Sequence, residues 1–89
     1  MNELQQKKAK DLEDRVDDLY WLYAEFVTET ATFKQFCADL IDYIEDDRID
    51  FYYINGCATL LRQLCIIDSE CYLSLMDIIN EVFELHNET

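Results

Sequence analysis

The chain is 89 residues long, half of its residues are apolar, and twenty acidic residues against seven basic ones give a net charge of −13. That length is typical of one domain. A surface this negative repels nucleic acid and anionic lipid and attracts basic proteins, so neither a nucleic acid nor a membrane is an expected partner. No apolar run approaches the roughly 20 residues of a membrane span. No secretory signal opens the chain, so we expect a cytoplasmic protein of a bacterial or other host cell.

The composition favours helices. The chain has no proline, and Gly56 is its only glycine. Folds rich in strands and tight turns need more of both residues. We therefore predict an all-α fold, with residues 1–89 forming a single-domain bundle of about four antiparallel helices and with residues 1–8 and 87–89 frayed.

The first helix is predicted from about Ala9 to Val27, because apolar residues recur there every three or four positions. This seam consists of Leu12, Val16, Leu19, Tyr23 and Phe26. Trp21 falls outside the seam, beside the acidic residues Asp14, Asp17, Asp18 and Glu25. An aromatic ring among carboxylates suits an arginine-rich partner, because arginine pairs with carboxylates and stacks on aromatic rings. Burial of Trp21 against the last helix or a second copy of the chain is the alternative.

The second helix is predicted to begin at Thr32, which has the capping-box spacing to Gln35. Its apolar residues form one stripe, consisting of Phe33, Phe36, Cys37, Leu40, Ile41 and Ile44. At 3.6 residues per turn, the nearly opposite side carries Asp39, Asp42, Asp46 and Asp50. The run Glu45, Asp46, Asp47 lies at the C-terminal end, where the helix dipole is already negative, so this site is poorly compensated. These acidic rows also lack the basic residues four positions away that solvated helices usually carry.

The third helix is predicted from Phe51 to about Ile66, with Asp50 as its cap. Its apolar residues extend almost around it, so we expect it to be central in the bundle. A strand over residues 49–54 followed by an Asn55–Gly56 turn is the alternative. We prefer the helix, because the residues after that turn do not alternate, and we expect Gly56 to allow close approach of a neighbouring element.

The last helix follows a cap at Asp68 or Ser69, and Glu70 suits the positive dipole of its first turn. One side of this helix is apolar and the other is acidic. The residues predicted to face inward are Cys71, Leu75, Ile78, Ile79, Val82 and Leu85.

Neither catalysis nor a cofactor or metal site is expected. His86 is the only histidine, and no nucleophile pattern surrounds it. The carboxylates lie on outward faces, where they stay ionised, rather than in a pocket that separates their pKa values. No C-x2-C pair of a zinc site is present. We interpret four cysteines as reduced core residues, since each lies within an apolar stripe, and these are Cys37, Cys57, Cys65 and Cys71.

The acidic rows have two interpretations, solvation of a small hydrophobic domain or imitation of the charge rows of a nucleic-acid backbone. The excess of acidic over basic residues is larger than the roughly 2–8 net charges that solubility needs. The first hypothesis is therefore a non-enzymatic protein that occludes a basic, nucleic-acid-binding surface of another protein. DNA-mimicking inhibitors, such as the anti-restriction and anti-CRISPR proteins of phages and plasmids, act in this way. The residues assigned to partner binding are Asp39, Asp42, Glu45, Asp46, Asp47, Asp50, Asp14, Asp18 and Trp21.

A second hypothesis belongs to a different class. The apolar half of the sequence exceeds the room in one small core, which favours a self-associating structural or adaptor module, a homodimer whose acids only solvate the outside. A toxin-neutralising immunity protein is a third hypothesis, physically close to the first. Salt-sensitive binding and an exposed Trp21 favour occlusion, whereas a large apolar dimer contact favours the structural module.

Overall fold

Four helices account for most of residues 2–46 and 48–88, the part of the chain that this computed structural model describes. They are α1 (Glu3–Tyr23), α2 (Thr30–Glu45), α3 (Phe51–Gln63) and α4 (Ser69–His86). No strand forms within the described residues, so the alternative strand over residues 49–54 is excluded. The predicted all-α bundle of four helices is confirmed.

Neighbouring helices in the bundle run antiparallel. α1 lies between α2 and α4, while α3 packs along α4 and over a shorter length on α2. Two exposed ion pairs join α1 to the C-terminal part of the chain, with Lys8 Nζ 3.2 Å from Glu88 Oε2, just after α4, and Arg15 Nη1 2.6 Å from Glu81 Oε2 on α4. α2 and α3 pack less closely than the other antiparallel pairs, and a groove lies between them.

A single apolar core joins the four helices, and among the described residues no polar or charged one is buried. α2 and α4 supply most of this core, and the buried residues of α4 are Cys71, Leu75, Ile78, Ile79, Val82 and Leu85. These are the residues predicted for the last helix. α3 contributes only Ile54, Ala58 and Leu61, so the prediction that α3 is central is wrong. Phe51 and Cys57 are half-buried against the core, and the other apolar side chains of α3 are exposed.

The first helix begins six residues earlier and ends four residues earlier than predicted. Asn2 caps it, because its side chain accepts a hydrogen bond from the Gln5 backbone at 2.9 Å, and Gln5 Oε1 accepts one from the Asn2 backbone at 3.2 Å. Residues 3–8, expected to be frayed, are therefore helical. Since α1 ends at Tyr23, Phe26 lies in the following turn and is 76% exposed rather than buried in the seam.

Of the predicted caps, the one at Thr32 is wrong. α2 begins at Thr30, because the Phe33 backbone donates to the Glu29 carbonyl at 3.1 Å, and no side chain caps this end. Asp50 caps α3 as predicted, accepting from the Tyr52 backbone at 3.2 Å. Asp68 rather than Ser69 caps α4, accepting from the Cys71 backbone at 2.8 Å.

A left-handed turn ends α3 at Gln63, before the predicted end at Ile66. Cys65 has φ of 59°, the only positive φ of a non-glycine residue in the described chain. The Ile66 backbone donates to the Leu61 carbonyl at 2.9 Å, and the Cys65 backbone donates to the Arg62 carbonyl at 3.1 Å. This is the Schellman arrangement, in which glycine usually holds the left-handed position. Cys65 is exposed there, so its assignment to the core is wrong.

We expect Cys65→Gly to raise the free energy of unfolding by about 1 kcal/mol, because glycine adopts the left-handed conformation without a Cβ clash. Urea unfolding followed by circular dichroism measures this change. Cys65→Ala is the control, since it removes the thiol and keeps the Cβ. An equal gain in both variants would contradict the strain argument.

Gly56 lies in the middle of α3 in ordinary helical conformation, and it is exposed. A Cβ built on it would have no heavy atom of a neighbouring element within 4 Å. The expectation that Gly56 allows another element of this chain to approach closely is therefore wrong. A glycine here lowers helix stability by about 1 kcal/mol relative to alanine, with no packing in the chain to offset it.

We expect Gly56→Ala to raise the free energy of unfolding by roughly 0.5–1 kcal/mol, since it improves helix propensity without a clash. The same urea titration measures it, and the slope of the transition should not change. A loss of stability would mean that the added methyl group meets an obstacle.

Candidate partner-binding surfaces

An acidic row follows the side of α2 that borders α3. It consists of Asp39, Asp42 and Asp46, which recur at three and four residues and so share one side of the helix. Asp39 lies in the groove, where Oδ1 accepts a hydrogen bond from Gln35 Nε2 at 3.0 Å. The pKa of Tyr53 on α3 is raised by its hydrogen bond to Cys57, by the charge of that thiol, and by Asp39. Asp39 therefore lies close to α3.

Asp50 belongs to α3 rather than to the acidic row. The sequence placed it on the same helical face as Asp39, but α2 ends at Glu45 and the chain turns before Asp50. Its carboxylate is engaged in capping α3. Asp47, also assigned to partner binding, lies outside the described residues.

The end of α2 carries a shallow depression lined by Asp42, Glu45, Asp46, Arg48 and Ile49. Arg48 neutralises Asp46, with Nε 2.6 Å from Oδ2 and the Arg48 backbone donating to Oδ1 at 3.0 Å. The Arg48 hydrogen bonds hold the pKa of Asp46 below its usual range. Within the described residues no ion pair joins Asp42 or Glu45 to a basic side chain. Glu45 also takes part in a hydrogen bond with Glu13 of α1.

Glu13 of α1 faces Glu45 of α2. Among the described residues no hydrogen-bond partner reaches its buried Oε1. Burial, and then the hydrogen bond and charge of Glu45, raise the pKa of Glu13 from 4.5 to about 7. Such a group takes up a proton more readily in the folded state than in the unfolded one.

The carboxyl of Glu13 should therefore make the fold more stable in acid. Its contribution is fully present below the unfolded pKa near 4.5 and is lost as pH rises through about 7. We expect Glu13→Gln to be more stable than the wild type at pH 8 and to lose less stability between pH 5 and pH 8. Thermal unfolding across that range measures both effects. Glu84→Gln, at an exposed position of α4, controls for the loss of one negative charge. Equal pH dependence of stability in wild type and Glu13→Gln would contradict the raised pKa of Glu13.

Trp21 is 77% exposed on the outer side of α1, so its alternative burial against α4 does not occur. Its ring meets that of Tyr20 edge-on at 5.2 Å. Asp14 and Asp18 share this side of the helix. Asp14 pairs with Lys10 four residues earlier at 3.1 Å, so the expectation that the acidic rows lack such partners is wrong at this position.

The residues assigned to partner binding do not form one site. Tyr20 stacks on Phe33 with centroids 5.6 Å apart, which places Trp21 near the start of α2. Asp46 follows Phe33 by thirteen positions, roughly 20 Å along the helix axis. The structure thus presents two surfaces, the outer side of α1 with Trp21 and the acidic row of α2.

The groove between α2 and α3 was missed by the sequence analysis. It encloses about 440 Å³ and is lined by Ala31, Thr32, Gln35, Phe36, Asp39, Cys57, Leu60 and Leu61. Beside it α3 presents a stripe of half-buried and exposed apolar residues, named here the α3 stripe: Tyr53, Cys57, Leu60 and Leu64. Their spacing of four, three and four is a second helical periodicity on α3, and it is visible in the sequence.

The remaining titratable groups have structural contacts. His86 Nε2 lies 3.3 Å from the Ile44 carbonyl, and its ring meets Tyr43 edge-on at 5.1 Å. Burial raises the pKa of the Cys37 and Cys71 thiols to about 12, so neither is a nucleophile at neutral pH. Across residues 2–46 and 48–88 no three His, Cys, Asp or Glu side chains are grouped to hold a metal ion.

Comparisons of the chain with protein-family models, curated proteins and solved structures found no match. None of the helices in the described residues is long and apolar enough to cross a membrane. Function is therefore inferred from the chemistry of the two surfaces.

Proposed function

We propose that this protein is a non-enzymatic acidic binding protein that occludes a basic, nucleic-acid-binding surface of another protein. The observation that carries the proposal is the small number of neutralised carboxylates. Within the described residues the four ion pairs engage only Asp14, Asp46, Glu81 and Glu88. Of the remaining described carboxylates, Asp50 and Asp68 cap helices and Glu13 shares a hydrogen bond with Glu45, and the others form no ion pair with a basic side chain.

Capture would begin at long range. A net charge of −13 on a small bundle steers a basic protein toward it and raises the association rate. At close range, carboxylates one helical turn apart, about 5–6 Å, follow the acidic row and imitate a line of phosphate charges. Trp21 adds an exposed ring on which an arginine side chain can stack.

Self-association is the second candidate, because the bundle exposes several large apolar side chains. Phe26 is 76% and Tyr52 78% exposed, and both could be covered by a second copy. In that case the acids only solvate the outside. The immunity-protein alternative needs the same charge-driven capture as the first candidate, with a basic toxin as the partner.

A pull-down from host lysate tests the first candidate. Tagged wild type is compared at about 50 mM and about 500 mM salt with Asp42→Asn/Glu45→Gln and with Trp21→Ala. At the higher salt the Debye length is about 4 Å, so contacts between exposed charges weaken. We expect a basic protein that is retained at low salt, reduced roughly tenfold by the double substitution, and released by an excess of DNA or RNA oligonucleotide.

The matched control is Asp77→Asn/Glu84→Gln, which removes two charges from exposed positions of α4. It should leave capture near the wild-type level. Equal losses of capture in both double variants would show that net charge alone, and not the position of the carboxylates, accounts for binding. If nothing is captured and sedimentation shows a salt-insensitive dimer, self-association replaces occlusion.

A further inference from the structure

We propose that the groove between α2 and α3 is the docking site for an amphipathic helix of the partner, with basic residues along the edge that faces α2. This inference rests on the proposed function, because the partner's positive charge comes from it. It adds the structural element that the partner inserts and the place where that element binds.

The α3 stripe has the pattern of an unpaired helix-packing surface. Leu60 is 52% and Leu64 60% exposed, and with Tyr53 and Cys57 they repeat at the four-and-three spacing of a coiled-coil seam. Within the bundle this seam has no partner helix. A helix laid along it would insert apolar residues spaced three and four apart, as in other grooves that bind helices.

The opposite wall of the groove selects a basic occupant. Asp39 is the one acidic residue of the groove lining, and Asp42 follows it toward the end of α2, so the α2 wall is acidic at that end only. An amphipathic helix with lysine or arginine along one edge matches both walls. A second copy of this chain matches the apolar wall only, because each copy brings a net charge of −13.

Gly56 leaves room for close approach of the occupant's backbone. It is exposed on the same side of α3 as Tyr53 and Leu60, and the space around it is unused by the chain itself. A glycine in mid-helix lowers stability, and it permits close approach of another backbone. Docking of a partner helix would use that space.

The length of the α3 stripe sets the size of the probe. Tyr53 to Leu64 spans roughly 16 Å of helix axis, about three turns. A synthetic 14-residue peptide of two heptads, with leucine on one stripe and lysine elsewhere, is therefore long enough. The matched probes are a scrambled peptide of the same composition and the same heptads with glutamate in place of lysine.

Fluorescence anisotropy gives the affinities of the three peptides, and chemical-shift mapping on ¹⁵N-labelled protein locates the binding site. We expect the leucine–lysine heptad peptide to bind at least tenfold more tightly than either control peptide. Its shift changes should cluster on Tyr53, Gly56, Leu60 and Leu64 and on the facing side of α2.

Substitutions on the α3 stripe distinguish a loss of peptide binding from a loss of stability. Leu60→Ser/Leu64→Ser should weaken peptide binding about tenfold, whereas Leu22→Ser/Leu73→Ser, at equally exposed positions outside the groove, should not. Gly56→Ala should weaken binding severalfold while the fold becomes more stable. A variant that merely unfolds cannot give that combination.

Several results overturn the proposal. Equal binding of the scrambled peptide would show electrostatic adsorption only, and equal weakening by Leu22→Ser/Leu73→Ser would place binding elsewhere. A dimer that Leu60→Ser/Leu64→Ser abolishes would make a second copy the occupant.

If this variant keeps full salt-sensitive capture from lysate, the groove assignment fails and the proposed function stands. If the heptad peptide binds in the groove but no charge-dependent partner is captured, the proposed function fails and groove docking stands.

Discussion

The apolar contacts among four helices have to outweigh the mutual repulsion of a chain with a net charge of −13. Among the described residues the core side chains are hydrophobic, so their removal from water is the main force that holds the helices together. The basic residues that could relieve the repulsion are few, and Lys8 and Arg15 connect α1 to α4. The α1–α4 pair is therefore stabilised by both apolar burial and charge, while the adjacent pair α2 and α3 packs less closely.

The acidic residues at the helix ends are of two kinds. Asp50 and Asp68 cap helices, where a negative charge is favourable near the positive end of the dipole. Asp42 and Glu45 lie at the end of a helix, where the dipole opposes them. Retaining carboxylates at an unfavourable position, next to an exposed apolar stripe, is consistent with a surface whose chemistry is directed at another protein.

The sequence predicted the helices and much of the core, because the 3.6-residue periodicity of α4 and of α2 is unbroken. Every inward residue predicted for α4 is buried. Helix ends were less predictable, since they depend on single hydrogen bonds such as the Asn2 cap and on the left-handed Cys65 turn. The groove escaped prediction because a second apolar stripe on α3 looks the same in sequence whether a neighbouring helix covers it or not. Which face meets a neighbour is decided by packing among helices distant in sequence.

The antiparallel order of the helices brings both ends of the described chain to the acidic end of α2. Glu13 faces Glu45, His86 approaches the Ile44 carbonyl, and Lys8 pairs with Glu88. An extension joined to the C-terminal end, which follows His86, is thus tethered near Glu45, at an effective concentration on the order of millimolar for a short flexible linker. An extension rich in lysine or arginine would act as a competitor in cis, and it would reach the carboxylates before any separate molecule does.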